Sequence, residues 1–231
     1  MYKFFASLFS CFFIFSTTTF ADILQNQIVT TSIGILKVFD QDYNGTNKEF
    51  KLPKRFSKDK IKAVAIIPDL AKGGFLVSAQ KGDGIFCIKD ENGDWSDPLF
   101  IEFKGIGLGI QGGYLSNDAV LLFENTRSYS GIFSQSKTID IGGDASIIGG
   151  ASSHHMTDIP ELGANILAIG RSDGIFLGMS LNNSLIKVHD QNNIDYYGRL
   201  FLDQDIINGS PKDSKYTKQL KLTLRQVFNK K

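Results

Sequence analysis

Apolar residues between Asp22 and Phe39 recur as Ile23, Leu24, Ile28, Val29, Ile33, Ile35, Leu36, Val38 and Phe39, a broad arc at about 100° per residue. The polar strip left over, Asn26, Gln27, Thr30, Gly34 and Lys37, is narrow. This predicts a helix buried over most of its circumference, with Asp22 available as N-cap. From residue 63 the texture changes to short apolar runs punctuated by Gly, Asn and Asp. These predict strands at 63–67, 75–79, 84–88, 99–103, 106–110, 119–123, 166–169, 174–179 and 185–188. Lys81-Gly82-Asp83-Gly84 and Asn92-Gly93 read as hairpin turns, because Gly and Asn tolerate positive φ. Such short spacings leave no room for crossover helices, so the sheet is expected to be mainly antiparallel. After Pro211, which suits a first helical position, Tyr216, Leu220, Leu224, Val227 and Phe228 form one stripe of a second helix, and Lys215, Lys218, Lys221 and Arg225 lie opposite. Lys81-Gly82-Asp83-Gly84-Ile85-Phe86 and Arg171-Ser172-Asp173-Gly174-Ile175-Phe176 echo each other, either as an internal repeat or as recurrent turn chemistry.

Ahead of the first helix, Lys3 precedes a nearly all-apolar run from Phe4 to Phe15, and small residues follow up to Ala21. Residues 1–21 read as a cleavable export signal, too short in its apolar part for a retained span, which leaves residues 22–231 as a single domain. A competing reading makes Cys11 the acylated residue of a lipoprotein box, but its apolar stretch is then only Phe4 to Leu8. Cleavage after Ala21 leaves one thiol, Cys87, in an apolar run, so no internal disulfide forms and a buried inert thiol is expected.

The chain has 25 Lys+Arg against 24 Asp+Glu. That balance argues against nucleic acid as a partner, since phosphate neutralisation needs a basic excess. The neutrality is a cancellation: residues 22–47 carry −2, 48–62 carry +5, 63–211 carry −9 and 212–231 carry +6. Such basic segments can meet an anionic lipid surface.

Enzyme signatures are weak. Gly107-Leu108-Gly109-Ile110-Gln111-Gly112 matches the dinucleotide fingerprint, but only residues 113–118 precede the next strand, and a parallel crossover needs about ten or more. The same stretch reads instead as a strand whose glycine face admits another backbone or a lipid chain. His154-His155 has only His189 as a further histidine, without metal-ligand spacing. Asp144, Asp158 and Glu161 are the nearest acids, and nothing singles out a base and a nucleophile, so hydrolase is the residual enzyme reading.

Eight ordered motifs then carry a resemblance. They are Ala63-Val64-Ala65-Ile66-Ile67-Pro68, Lys72-Gly73-Gly74-Phe75, Gly82-Asp83-Gly84, Trp95-Ser96-Asp97-Pro98, Gly109-Ile110-Gln111-Gly112-Gly113, Ile141-Gly142-Gly143-Asp144-Ala145-Ser146, Arg171-Ser172-Asp173-Gly174-Ile175-Phe176-Leu177-Gly178 and Tyr196-Tyr197-Gly198. In that order they resemble the SYLF domain, a lipid-binding module also described as a yeast-type actin-regulator domain. One departure is that Ala151-Ser152-Ser153-His154-His155 stands where the family has a Pro-Gly-Arg-like turn after Gly149-Gly150.

The residues and the resemblance together lead one to expect a non-enzymatic protein, with no catalytic residues, metal or cofactor. It implies binding of anionic phospholipids, phosphoinositides in eukaryotic members, through an amphipathic N-terminal helix and nearby basic residues. By position these are residues 23–39 and Lys51, Lys54, Arg55, Lys58, Lys60, Lys62 and Lys72. Some eukaryotic members bind actin, which is not available to an exported, periplasmic or secreted member. The expected fold is α+β, with a mostly antiparallel, strongly curved or barrel-like β-sheet and N-terminal and C-terminal helices packed on it. The alternative reading is an envelope interaction protein that docks a protein partner through its basic C-terminal helix.

Overall fold

The computed structural model describes residues 20–43, 52–74, 77–108, 113–141, 145–146, 166–172, 175–178 and 183–229. Nearly all of the leader with Cys11, Lys51, residues 109–112, Asp144, His154-His155, Asp158 and Glu161 lie outside the described residues. Helix α1 spans Phe20–Gln41. Strands β1 (Ala63–Gly74), β2 (Val77–Ile88), β3 (Leu99–Leu108) and β4 (Gly113–Phe123) follow, then a 3-10 helix over Thr126–Phe133. The remaining elements are β5 (Thr138–Asp140), β6 (Ala145–Ser146), β7 (Ile166–Ser172), β8 (Ile175–Gly178), β9 (Ser184–Val188), α2 (Asp190–Tyr197), α3 (Asp203–Ile207) and α4 (Lys215–Phe228).

The strands form one sheet in the order β5-β9-β3-β2-β1-β4-β7-β6, with β8 added on β7. Every pairing is antiparallel except the short β6–β7 ladder. The sheet is a curled half-barrel, and the fold is α+β with helices from both ends of the chain, as the sequence leads one to expect. On β1, Val64 and Ile66 join α1 and α4 in one apolar cluster on the outer face. Ala63, Ala65 and Ile67 join Phe86, Phe103, Phe123 and Tyr129 in a second cluster inside the curl. Burial on both faces is why these strands read as continuous apolar runs and not as alternating ones.

Several expectations need correction. Lys81-Gly82-Asp83-Gly84 is no turn: β2 runs straight through it and pairs with β3 from Val77↔Leu108 to Phe86↔Leu99. The glycines serve the neighbouring strand, because β1 bulges between Ile66 and Ala71, with Asp69 at φ 50. A Cβ on Gly82 would sit 2.6 Å from Ile67 Cγ2, and one on Gly84 would run into the Ile66 carbonyl oxygen. Arg171 and Ser172, by contrast, end β7 just before β8, where Ser172 pairs with Ile175, so the two echoing segments share chemistry but not structure. Residues 99–103 and 106–110 are not two strands, because β3 runs unbroken through Gly105. A Cβ on Gly105 would collide with Ser184 Oγ of β9, so the partner at that glycine is another strand and not an acyl chain. Asp22 falls inside α1 and does not cap it. Pro211 precedes α4, whose cap is Ser214, its side chain accepting from the Thr217 amide at 3.0 Å.

Gly84→Ala is expected to cost about 2–3 kcal/mol by overpacking the bulge. Gly34→Ala, on the exposed side of α1 with nothing within 4 Å of the new methyl group, is expected to add about 0.5–1 kcal/mol. Urea unfolding of the two variants measures both, and equal effects would contradict the bulge argument.

Candidate functional site

The basic segment is short on regular structure and is pinned by its apolar residues. Two 3-10 turns, Lys54–Phe56 and Lys58–Lys60, bracket Phe56, which is buried, and Ile61 is fully buried ahead of β1. With those two side chains held in the outer cluster, Lys54, Lys60 and Lys62 are left on the surface. Lys60 Nζ donates to the Lys54 carbonyl at 3.4 Å, which folds the segment back on itself. Lys62 anchors through its backbone, its amide donating to Phe123 O at 2.8 Å.

Two of the expected headgroup residues are engaged elsewhere. Arg55 pairs with Glu124 just past β4. Lys58 is turned inward: 7% exposed, it donates to Asp40 Oδ1 at 2.6 Å and lies 4.0 Å above the Tyr43 ring. The pair ties the basic segment to the last turn of α1. Lys72 is at the opposite end of β1, roughly 30 Å from Lys62 along the strand. There it pairs across to buried Gln80 of β2. One surface patch cannot contain both.

Lys89 joins the cluster, although it lies outside the charge run that marks the rest. Its Nζ donates to Asp59 O at 3.1 Å, and its backbone amide donates to Lys62 O at 2.8 Å. Burial, with the nearby charge of Lys62 adding, holds its pKa below the ordinary lysine value. A signal existed in the sequence, in that Lys89 follows the β2 apolar run as Lys62 precedes that of β1, but only the antiparallel register puts them side by side.

Beyond its first turns, where Ile23 and Leu24 are exposed, helix α1 is not free to present an apolar face. Ile28, Val29, Ile35, Leu36 and Phe39 are all buried against the sheet and α4, and Gln27, Thr30, Gly34 and Lys37 face outward. At the far end of α1, Gln25 Nε2 donates to Asn192 Oδ1 of α2 at 3.0 Å. Among the described residues no helix is long and apolar enough to cross a membrane.

The basic face of α4 is partly neutralised. Lys221 Nζ donates to Asp97 Oδ1 at 2.8 Å and lies 3.6 Å from Asp213, and Arg225 pairs with Asp94 at 2.6 Å. Lys215 and Lys218 stay exposed beside Leu222. Asp97 belongs to the Trp95-Ser96-Asp97-Pro98 motif, and Tyr197 donates to Pro98 O at 2.6 Å, so that motif tethers α4 and α2 to the sheet. Cys87 is fully buried, and desolvation pushes its thiol far above the ordinary range, which leaves it unreactive.

A family model, Ysc84, described as Las17-binding protein actin regulator, matches residues 104–227. That stretch runs from within β3 to α4, and α1, the basic segment, β1 and β2 precede it. LAS seventeen-binding protein 3 of Saccharomyces cerevisiae is 31% identical over 152 residues, 64% of this chain and 33% of the relative. Protein YSC84 of the same yeast is 30% identical over 155 residues, 65% and 33% of the two chains. The Homo sapiens SH3 domain-containing YSC84-like protein 1 is 28% identical over 152 residues, 65% and 44%. The matched part thus spans between a third and under half of these relatives.

The Asp97 site has a pH signature. Burial is the first cause raising the carboxyl, up to about 6, against the pull of Lys221. An unfolded Asp titrates near 3.9, so between about pH 4 and 6 the folded state holds the proton that the unfolded state has released. This group's contribution to stability therefore falls as pH rises through that window. Asp97→Asn removes the slope: the difference in unfolding free energy between natural protein and variant is expected to shift by about 2 kcal/mol between about pH 4 and pH 6.5. Urea titrations at the two pH values measure it, and a pH-independent difference would refute it.

Proposed function

We propose that this chain, which belongs to the Ysc84 family of Las17-binding actin regulators, acts by binding, and that it grips the phosphate headgroups of anionic phospholipids, phosphoinositides among them. The observation that carries this reading is the convergence of Lys54, Lys60, Lys62 and Lys89 at the start of β1. Arg55 and Lys58 are neutralised beside them, so Lys54, Lys60 and Lys62 remain as the exposed lysines of a fixed scaffold, with half-buried Lys89 behind them. Each lysine near an anionic leaflet is worth about 1 kcal/mol, and a pinned segment forfeits less side-chain and backbone entropy on binding than a free tail. Lys51 would extend the patch from the preceding chain, and Lys72, at the far end of β1, is left out of it.

The leader supports an exported protein, periplasmic or secreted. A mature N-terminus at Asp22, read by mass spectrometry, is the expected product, whereas a lipid-modified N-terminal Cys11 would replace it under the lipoprotein reading. Docking of a protein partner on α4 is the second reading. The observation favouring it is Leu222, 49% exposed on the face that also carries Lys218, together with relatives named for binding Las17.

Co-sedimentation with vesicles of phosphatidylcholine alone or mixed with phosphatidylserine or a phosphoinositide tests the lipid reading. The variant with Lys54, Lys60 and Lys62 all changed to Gln is expected to lose on the order of a hundredfold in affinity for the anionic vesicles. Lys72→Gln is expected to change it little, because its distance from the patch exceeds the screening length. Binding indifferent to anionic lipid, or to the triple substitution, would sink the assignment.

A further inference from the structure

The C-terminal end of α1 is built in a way that its own sequence opposes. Asp40 lies in its last turn and Asp42 just beyond, at the end where the helix dipole is negative, and that turn contains no basic residue. Asp42 is 8% exposed, and its Oδ2 has no hydrogen-bond partner. The compensating cation comes from outside the helix. Lys58 reaches in from the basic segment to Asp40 and lies over Tyr43 at 4.0 Å and Phe39 at 5.8 Å. One residue thus belongs both to the segment assigned to headgroup binding and to the clasp that holds α1 down.

We infer that the Lys58–Asp40 pair is a latch: phosphate groups gathered by Lys54, Lys60, Lys62 and Lys89 compete with Asp40 for Lys58, and capture of Lys58 frees the last turns of α1 from the fold. This inference rests on the lipid reading above and assigns its regulation. Release takes the Lys58 cation away from Asp40, next to Asp42 at the negative end of the helix, so the closed turn does not simply re-form. It also uncovers the apolar side chains Ile35, Leu36 and Phe39, which in the closed state are spent in the core. At a lipid surface those side chains have an apolar medium to enter, and in free solution they have none, so opening is favourable only where headgroups are present. The docked helix is then the resting state, and an amphipathic helix becomes available to lipid only on demand.

Hydrogen exchange of the full chain, read at residues 35–43, tests the latch with the same phosphatidylcholine and phosphatidylserine-containing vesicles. Anionic vesicles are expected to change exchange at 35–43 while Ile66 and Val120, in the sheet beneath, keep theirs. Asp40→Asn, which keeps the shape and removes the competing charge, is expected to speed exchange at 35–43 without lipid and to bind anionic vesicles about fivefold more tightly or better, as a typical intersite coupling requires. Lys58→Gln is expected to speed the same exchange without the gain in affinity, since it opens the clasp but removes a phosphate ligand. If anionic vesicles bind through Lys54, Lys60 and Lys62 while exchange at 35–43 is unchanged and Asp40→Asn binds no better, the latch is wrong and the lipid reading stands. If the natural protein binds neither vesicle, both are wrong.

Discussion

Strand β1 has Val64 and Ile66 on one side and Ala63, Ala65 and Ile67 on the other, all fully buried, so the centre of the sheet needs apolar cover on both faces. Curling supplies it on the inside together with the 3-10 helix and Ile206 of α3, and there the Phe86, Phe123 and Tyr129 rings meet edge to face with centroids 5.5 to 6.1 Å apart. The outer face has no such recourse and takes its cover from α1 and α4, drawn from the two ends of the chain. That requirement accounts for the remaining architecture. The bulge in β1 lets the sheet bend, the glycines of β2 make room for the bulge, and Phe56 and Ile61 lead the chain from α1 back into the sheet.

Covering the sheet also sorts the charges. Segments with opposite net charge are brought together at α4, where Asp94 and Asp97 of the acidic segment consume Arg225 and Lys221, with Asp213 adding from the chain just before the helix. The basic segment has fewer such neighbours. After Arg55 meets Glu124 and Lys58 meets Asp40, the exposed lysines among its described residues have backbone carbonyls, solvent and the one nearby carboxylate of Asp59 around them. A chain with almost no net charge therefore still gathers exposed lysines on one part of its surface, as the lipid reading requires.

The two long helices, the antiparallel sheet and the family were legible because each leaves a local trace: apolar period, strand spacing and ordered motifs. Gly82 and Gly84 were misread because a glycine that makes a turn and one that makes room for a facing bulge look identical until the register is known. Helix α2 went unseen for a different reason. Its buried side is polar, and Asn193 uses its amide to accept from Phe100 N at 2.8 Å and donate to Phe100 O at 3.2 Å, in the manner of a strand partner. No hydrophobic period marks such a helix. The site was half legible. Charge density located the segment, but Lys54 and Lys58 are the same letter, and only packing makes one a surface cation and the other a clasp.

The two candidate surfaces are mechanically joined, and the joint is aromatic. Phe39, beside the Lys58 clasp, packs on Phe228 of α4 with centroids 6.0 Å apart, and Phe228 packs on Trp95 at 5.4 Å. Trp95 in turn donates to Asn229 at 3.3 Å and stands between Asp94 and Asp97, the residues that hold the basic face of α4. Close-packed rings transmit displacement because they have no low-energy way to leave a gap. A shift of the last turns of α1 therefore bears on the last turn of α4, and a shift of α4 bears on α1 in return. The lipid-facing and protein-facing readings of this chain then cease to be rivals: the fold gives one helix pair two ends to be pulled from, with its single tryptophan in the joint between them.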